Sequence, residues 1–145
     1  MKLKDGSNLI VSGAHSLRVL NAKNIVSLGV LQGKAYILSL DDGTELKAVP
    51  GSITPTDTME EGKYMKVIAF KLGQVSPERT AMLEALRMLP LVAIYVDEQG
   101  NTKVAGDIDF PLVFSYTITG GLYECQLEGD NIAPNPYLCR MIYRL

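Results

Sequence analysis

Residues 95–110 read YVDEQGNTKVAGDIDF, and four carboxylates, Asp97, Glu98, Asp107 and Asp109, fall within thirteen residues. Acids this dense could hold a metal ion, share acid–base chemistry, or only turn the chain. An EF-hand calcium loop needs oxygens at alternating positions, then a glycine, then a distant glutamate. Here DEQGNT puts Gly100 at the fourth position and offers no such glutamate. Paired carboxylates could also serve glycoside hydrolysis. That use needs a raised pKa, which exposed acids at a hairpin tip do not acquire. A hairpin turn accounts for Asp97 and Gly100, and Asp107 and Asp109 are read as solvating the next connection.

Other chemistry fares no better. GVLQGKA (residues 29–35) is one residue short of a phosphate-binding loop, and Ala35 stands where Ser or Thr would meet magnesium. A strand follows it rather than a helix, so it reads as a turn around Gln32 and Gly33. His15 is the single histidine, and a Ser-His-Asp or Cys-His arrangement would have to use it. It lies in SGAHSL, near an N-terminus expected to be mobile. Cys125 is expected in the core, where a thiol behaves as a small hydrophobe. One histidine and two separated cysteines do not suit a zinc site. The six methionines are read as core filler rather than a partner surface. No residue is therefore assigned as catalytic, cofactor-binding or metal-ligating, no cofactor is expected, and the chain is read as a non-enzyme.

The chain has 145 residues, enough for one domain with its own core, spanning 1–145. Net charge is −2 with no basic block, whereas nucleic-acid binding usually needs a basic patch. The aromatics alternate with apolar rather than basic residues, unlike a base-stacking platform. Nucleic acid is therefore not an expected partner. The N-terminal MKLKDGSNLIVSG offers only LIV as an apolar run, too short for a signal peptide. No stretch approaches the roughly 20 apolar residues of a membrane helix. Cys125 and Cys139 make no disulfide framework. A cytoplasmic, reduced protein is expected, with pairing of the two cysteines left open.

The elements that must position these residues are mostly strands. KAYILSL (residues 34–40) alternates, with Tyr36, Leu38 and Leu40 on one face. A loop of Asp41, Asp42 and Gly43 would pair Leu38 with Leu46 and Tyr36 with Ala48, Gly43 taking the left-handed position. Residues 63–72 form a longer strand with Tyr64, Ile68, Phe70 and Leu72 on one face. SPERTAMLEALRML (residues 76–89) is the one clear helix. Ser76 caps it, Pro77 begins it, and Pro90 stops it. Its apolar face is read as Met82, Leu86 and Leu89, with Ala85 beside them. LVAIYV (residues 91–96) is apolar on both faces and predicts a central strand.

Two hairpins follow. The loop Glu98-Gln99-Gly100 pairs Ile94 with Val104 and Val96 with Thr102. A Gly120-Gly121 turn pairs Ile118 with Tyr123, Tyr116 with Cys125 and Phe114 with Leu127. Residues 50–62 and 129–137 read as loops. The first is long enough to be either an arm that lies on a neighbour or a mobile surface loop, and the sequence leaves both open. The fold class is α+β, mostly antiparallel β: a sandwich or partly closed barrel with one packed helix.

The order of helix, buried strand, acid-to-glycine hairpin and strand pair resembles small phage or prophage tail and head–tail connector proteins. The matching residues are Pro90, YVDEQGNTKVAG with Gly100 and Gly106, Pro111, FSY (114–116), YECQLEG and Pro134. The resemblance covers residues 63–137. It implies a small β-rich module that stacks into rings, works by assembling, and carries no catalytic residue. The expected function is thus a non-enzymatic structural subunit of a phage or prophage tail or neck. Its expected partners are copies of itself or other structural subunits. The alternative is a small β-barrel binding module for a peptide, glycan or small molecule. An enzyme using the carboxylates is the least supported reading.

Overall fold

The computed structural model describes residues 3–5, 16–131 and 133–144. Twelve strands and one α-helix follow in order, with a short 3-10 turn (Ala22–Asn24) between the second and third strands: β1 (Leu3–Asp5), β2 (Ser16–Asn21), β3 (Ile25–Leu31), β4 (Lys34–Ser39), β5 (Thr44–Lys47), β6 (Thr54–Glu60), β7 (Lys63–Leu72), α1 (Pro77–Arg87), β8 (Leu91–Val96), β9 (Thr102–Ala105), β10 (Val113–Thr119), β11 (Leu122–Asn131) and β12 (Tyr137–Arg144). They form two sheets. The first has the order β3-β4-β12-β9-β8-β2-β5, with β1 also against β12; the second is β10-β11-β7-β6. Every pairing is antiparallel except β12 with β4. The sheets are open rather than closed into a barrel, so the sandwich form of the expected α+β fold is the one adopted. Within the described residues no helix is long and apolar enough to cross a membrane.

Strand β8 organises both cores. Leu91, Ala93 and Tyr95 face the second sheet, joining Leu17, Leu46, Ile68, Phe70, Phe114 and Leu127. Val92 and Ile94 point the other way, into a second cluster with Leu20, Ile25, Ile37, Val104 and Met141. This is why LVAIYV carries no polar face. The second cluster joins strands far apart in the sheet order, so the first sheet curls over it.

The helix starts as expected. Ser76 Oγ accepts from Arg79 N, and Pro77 needs no donor there. Tyr123 OH fastens this end to the second sheet, donating to Ser76 O and bonding Thr80 Oγ1 at 2.8 Å. The buried face differs from the expected one. Leu83 and Leu86 are buried, Met82 and Leu89 pack partly, and Ala85 is exposed. The helix thus sits rotated toward Leu83, which the i, i+4, i+7 reading omits.

Both glycine hairpins form in the expected register. Gly100, Gly120 and Gly121 all take positive φ, as these turns require. The turn at Gln32 and Gly33 also forms, joining β3 to β4.

The hairpin across Asp41, Asp42 and Gly43 does not form. β4 pairs with β3 and β12, while β5 pairs with β2. Asp41 Oδ1 accepts from Gly43 N, and that local bond turns the chain away from β4 instead of back along it. Residues 50–62, expected as a long loop, contain β6, which pairs with β7 along its whole length. Pro55 is tolerated because β6 is an edge. The expected loop at 129–137 is shorter too, since β11 runs to Asn131 and β12 begins at Tyr137.

Candidate functional site

The chemistry-bearing groups converge at one mouth of the sandwich, on residues that the four clustered acids only partly include. Lys66 belongs to the inner face of β7, in step with Ile68, Phe70 and Leu72, and is 2% exposed. A lysine this buried needs a partner. It donates from Nζ to Asn135 Oδ1 at 2.6 Å. Asn135, itself buried, lies in the short connection into β12. Its Nδ2 donates to Tyr95 OH at 2.9 Å, and its backbone N donates to Asp57 Oδ2 at 3.0 Å. Asp57 is the cross-strand partner of Lys66, so both side chains share one face.

Local geometry explains why these groups meet. The row Asp57, Lys66 and Gly129 crosses β6, β7 and β11. A Cβ on Gly129 would stand 3.0 Å from Pro111 O and from Leu112 Cδ2. Glycine there lets the 111–112 segment close over the sheet. Leu112 in turn exchanges backbone bonds with Leu91, joining the two sheets beside the polar cluster.

Burial pushes the Lys66 amine pKa down, while Asp57 and Asp107 pull it back up. Burial raises the Tyr95 phenol, and the Asn135 bond opposes that shift. Above this cluster opens a cleft of about 260 Å³ lined by Asp57, Tyr95, Asp97, Glu98, Lys103 and Asn135. Lys66 does not line the cleft but is bonded to Asn135, which does.

The clustered acids separate. Asp97 is the most structural of them. Its Oδ1 accepts from Gln99 N and Asn101 N, and its Oδ2 stands 3.8 Å from Lys103 Nζ. Its side chain is only 10% exposed, which corrects the expectation that all the hairpin acids are freely solvated. The turn itself provides that cover through the Gln99 and Asn101 amides. Glu98 is exposed on the cleft wall, and Asp109 is exposed away from it. Asp107 is half-buried and accepts Ile108 N at 2.6 Å. Among the described residues no three His, Cys, Asp or Glu side chains converge on a point a metal could occupy. His15 lies outside the described residues.

Both cysteines are free: Cys125 is buried and Cys139 exposed. Burial pushes the Cys125 thiol up to about 12. Since thiolate is the reactive form, iodoacetamide at neutral pH should label the native protein once, at Cys139. Denaturant should expose the second site. Two labels on the native protein would contradict the burial of Cys125. The methionines divide similarly. Met141 is core, but Met59 and Met88 are 61% and 78% exposed, so core filling does not describe them all.

Lys66 was detectable in principle. It has the same strand parity as Tyr64, Ile68, Phe70 and Leu72, which marks an inward position. Its partner Asn135 is 69 residues away, and no local pattern connects them. No family model, curated protein or solved structure matches the chain.

Proposed function

We propose that the chain is a non-enzymatic assembly subunit that joins a second copy of itself strand to strand at the β3 edge, in a phage or prophage tail or neck. The β3 edge carries the proposal. Edge strands present unpaired N–H and C=O groups, and monomeric proteins guard them with charge, proline, short length or a covering element. Strand β5 has four residues and includes Glu45 and Lys47. Strand β6 includes Pro55, Asp57 and Glu60. Strand β10 is uncharged, but α1 packs beside it. Strand β3 has seven residues with neither charge nor proline. Among the described residues nothing pairs with its outer side. Val30 and Leu31 at its end are 53% and 65% exposed. Its register irregularity lies only at its start, between Ile25 and Ser27. The setting rests on the resemblance of residues 63–137 to phage tail and neck proteins.

The binding-module reading has less support. Open sheets leave no barrel lumen to hold a ligand. A concavity of about 460 Å³ lies on the outer side of the second sheet, lined by residues such as Ser52, Thr54, Ser115, Tyr116 and Gln126.

Replacing Val30 and Leu31 together with lysine tests the edge. Both side chains are exposed, so circular dichroism should not change. Light scattering should give wild type a mass above the 15.8 kDa of one chain, and the variant a mass equal to it. Wild type at one chain's mass at high concentration, or a variant that associates equally well, would refute assembly through β3.

A further inference from the structure

Lys66 and Asn135 are held as reactants are held. Nζ donates to Asn135 Oδ1 at 2.6 Å. A carbonyl bond is about 1.2 Å, so Nζ stands within roughly 3.8 Å of the carboxamide carbon, near the ~3–3.5 Å of a near-attack geometry. Burial favours the neutral, nucleophilic amine. Tyr95 OH lies 2.9 Å from Nδ2, the nitrogen that would leave. Asp57 is across the ladder from Lys66 and already bonds the Asn135 backbone. Pro136 follows Asn135 and has no N–H. The common route by which asparagine cyclises onto the next backbone nitrogen is therefore closed.

We propose that Lys66 and Asn135 condense without a cofactor into an isopeptide crosslink that ties β7 of the second sheet to the segment entering β12 of the first. The Nζ–Cγ bond forms and the Cγ–Nδ2 bond breaks, with ammonia as the leaving group. Nζ gives one proton, through an intervening water, to the carboxylate of Asp57 on the facing strand. Nδ2 gains one from the Tyr95 hydroxyl, which burial keeps protonated. Asp57 then returns its proton to Tyr95 through solvent, so nothing is oxidised or reduced. Each group serves by position: a trapped amine beside an amide exchanges the entropy of encounter for the entropy of folding. The proposal does not depend on the assembly reading.

Intact-mass spectrometry of the full chain tests it directly. Wild type should be lighter than its sequence by about 17 Da, the mass of ammonia lost in forming the covalent bond. Proteolysis should release one branched species joining the Lys66 and Asn135 peptides. Lys66→Met and Asn135→Ala should each restore the full sequence mass, whether or not those variants fold well. Asp57→Ala and Tyr95→Phe should slow the mass change. Wild type that keeps its full mass after prolonged incubation would overturn the proposal. So would a loss that persists in Lys66→Met, since another residue would then be its source.

Discussion

Replacing residues 51–61 with a short Gly-Ser linker should leave no cooperatively folded protein. A disposable arm could be removed without harm, but this segment contains β6. Its seven cross-strand pairs run from Thr54 with Ala69 to Glu60 with Lys63. Removing them opens the side of β7 that bears Lys66 and Ile68, now 2% and 1% exposed. Ile53 would also leave the core it packs against, and Asp57 would leave the Asn135 amide unsatisfied. Lost burial and unpaired polar groups together should cost more than about 4 kcal/mol, beyond the usual range of single changes. Marginal stability of about 5–15 kcal/mol does not absorb such a loss easily. The check is a thermal melt followed by near- and far-ultraviolet circular dichroism. An unchanged, cooperative melt would mean that β6 is dispensable.

Gly43→Val should be the most damaging single substitution. Gly43 has φ 73°, a conformation that β-branched residues resist. An added Cβ would stand 2.3 Å from Val19 O and 2.6 Å from Leu20 Cδ2. The first contact is with the backbone of β2, which is held on both sides by β5 and β8. The chain cannot relax there without breaking one of those ladders. Backbone strain plus overpacking should cost at least about 3 kcal/mol. Urea titration at fixed pH measures it. Gly51→Val is the control, because Gly51 has a similar φ of 79° and no neighbour within 4 Å of an added Cβ. If both variants lose the same amount, the approach to Val19 contributes nothing.

Gly43 also shows what the sequence makes legible. Its left-handed turn is readable from DDG, but its purpose is not. Turn residues fix local direction, and the strand that β4 then joins is β12, whose residues 137–143 lie about a hundred positions away. Parallel pairing at that separation leaves no short-range signature. The two hairpins at Gly100 and Gly120-Gly121 are legible because turn, alternation and partner lie within one short stretch. The helix is legible from Ser76, Pro77 and Pro90 for the same reason, though its rotation toward Leu83 is set by the sheet beneath it. Strand β6 is obscured by Pro55, which excludes a central strand but permits an edge. In the candidate site, Asp97 is visible as a turn acid. Lys66 is visible only to strand parity, against the usual expectation that lysine faces water. Tyr95 reads as part of an apolar run, and Asn135 as part of a loop. Their meeting depends on the packing of two sheets.

The pairing of β3 with a second copy is tested most directly by amide hydrogen exchange at two protein concentrations. On association, the β3 amides not bonded to β4 should gain a partner and slow their exchange. Those of the charged edge β5 should not change. Slower exchange confined to residues 25–31 at high concentration is the expected result. Exchange at β3 that stays fast and independent of concentration would contradict assembly through this edge.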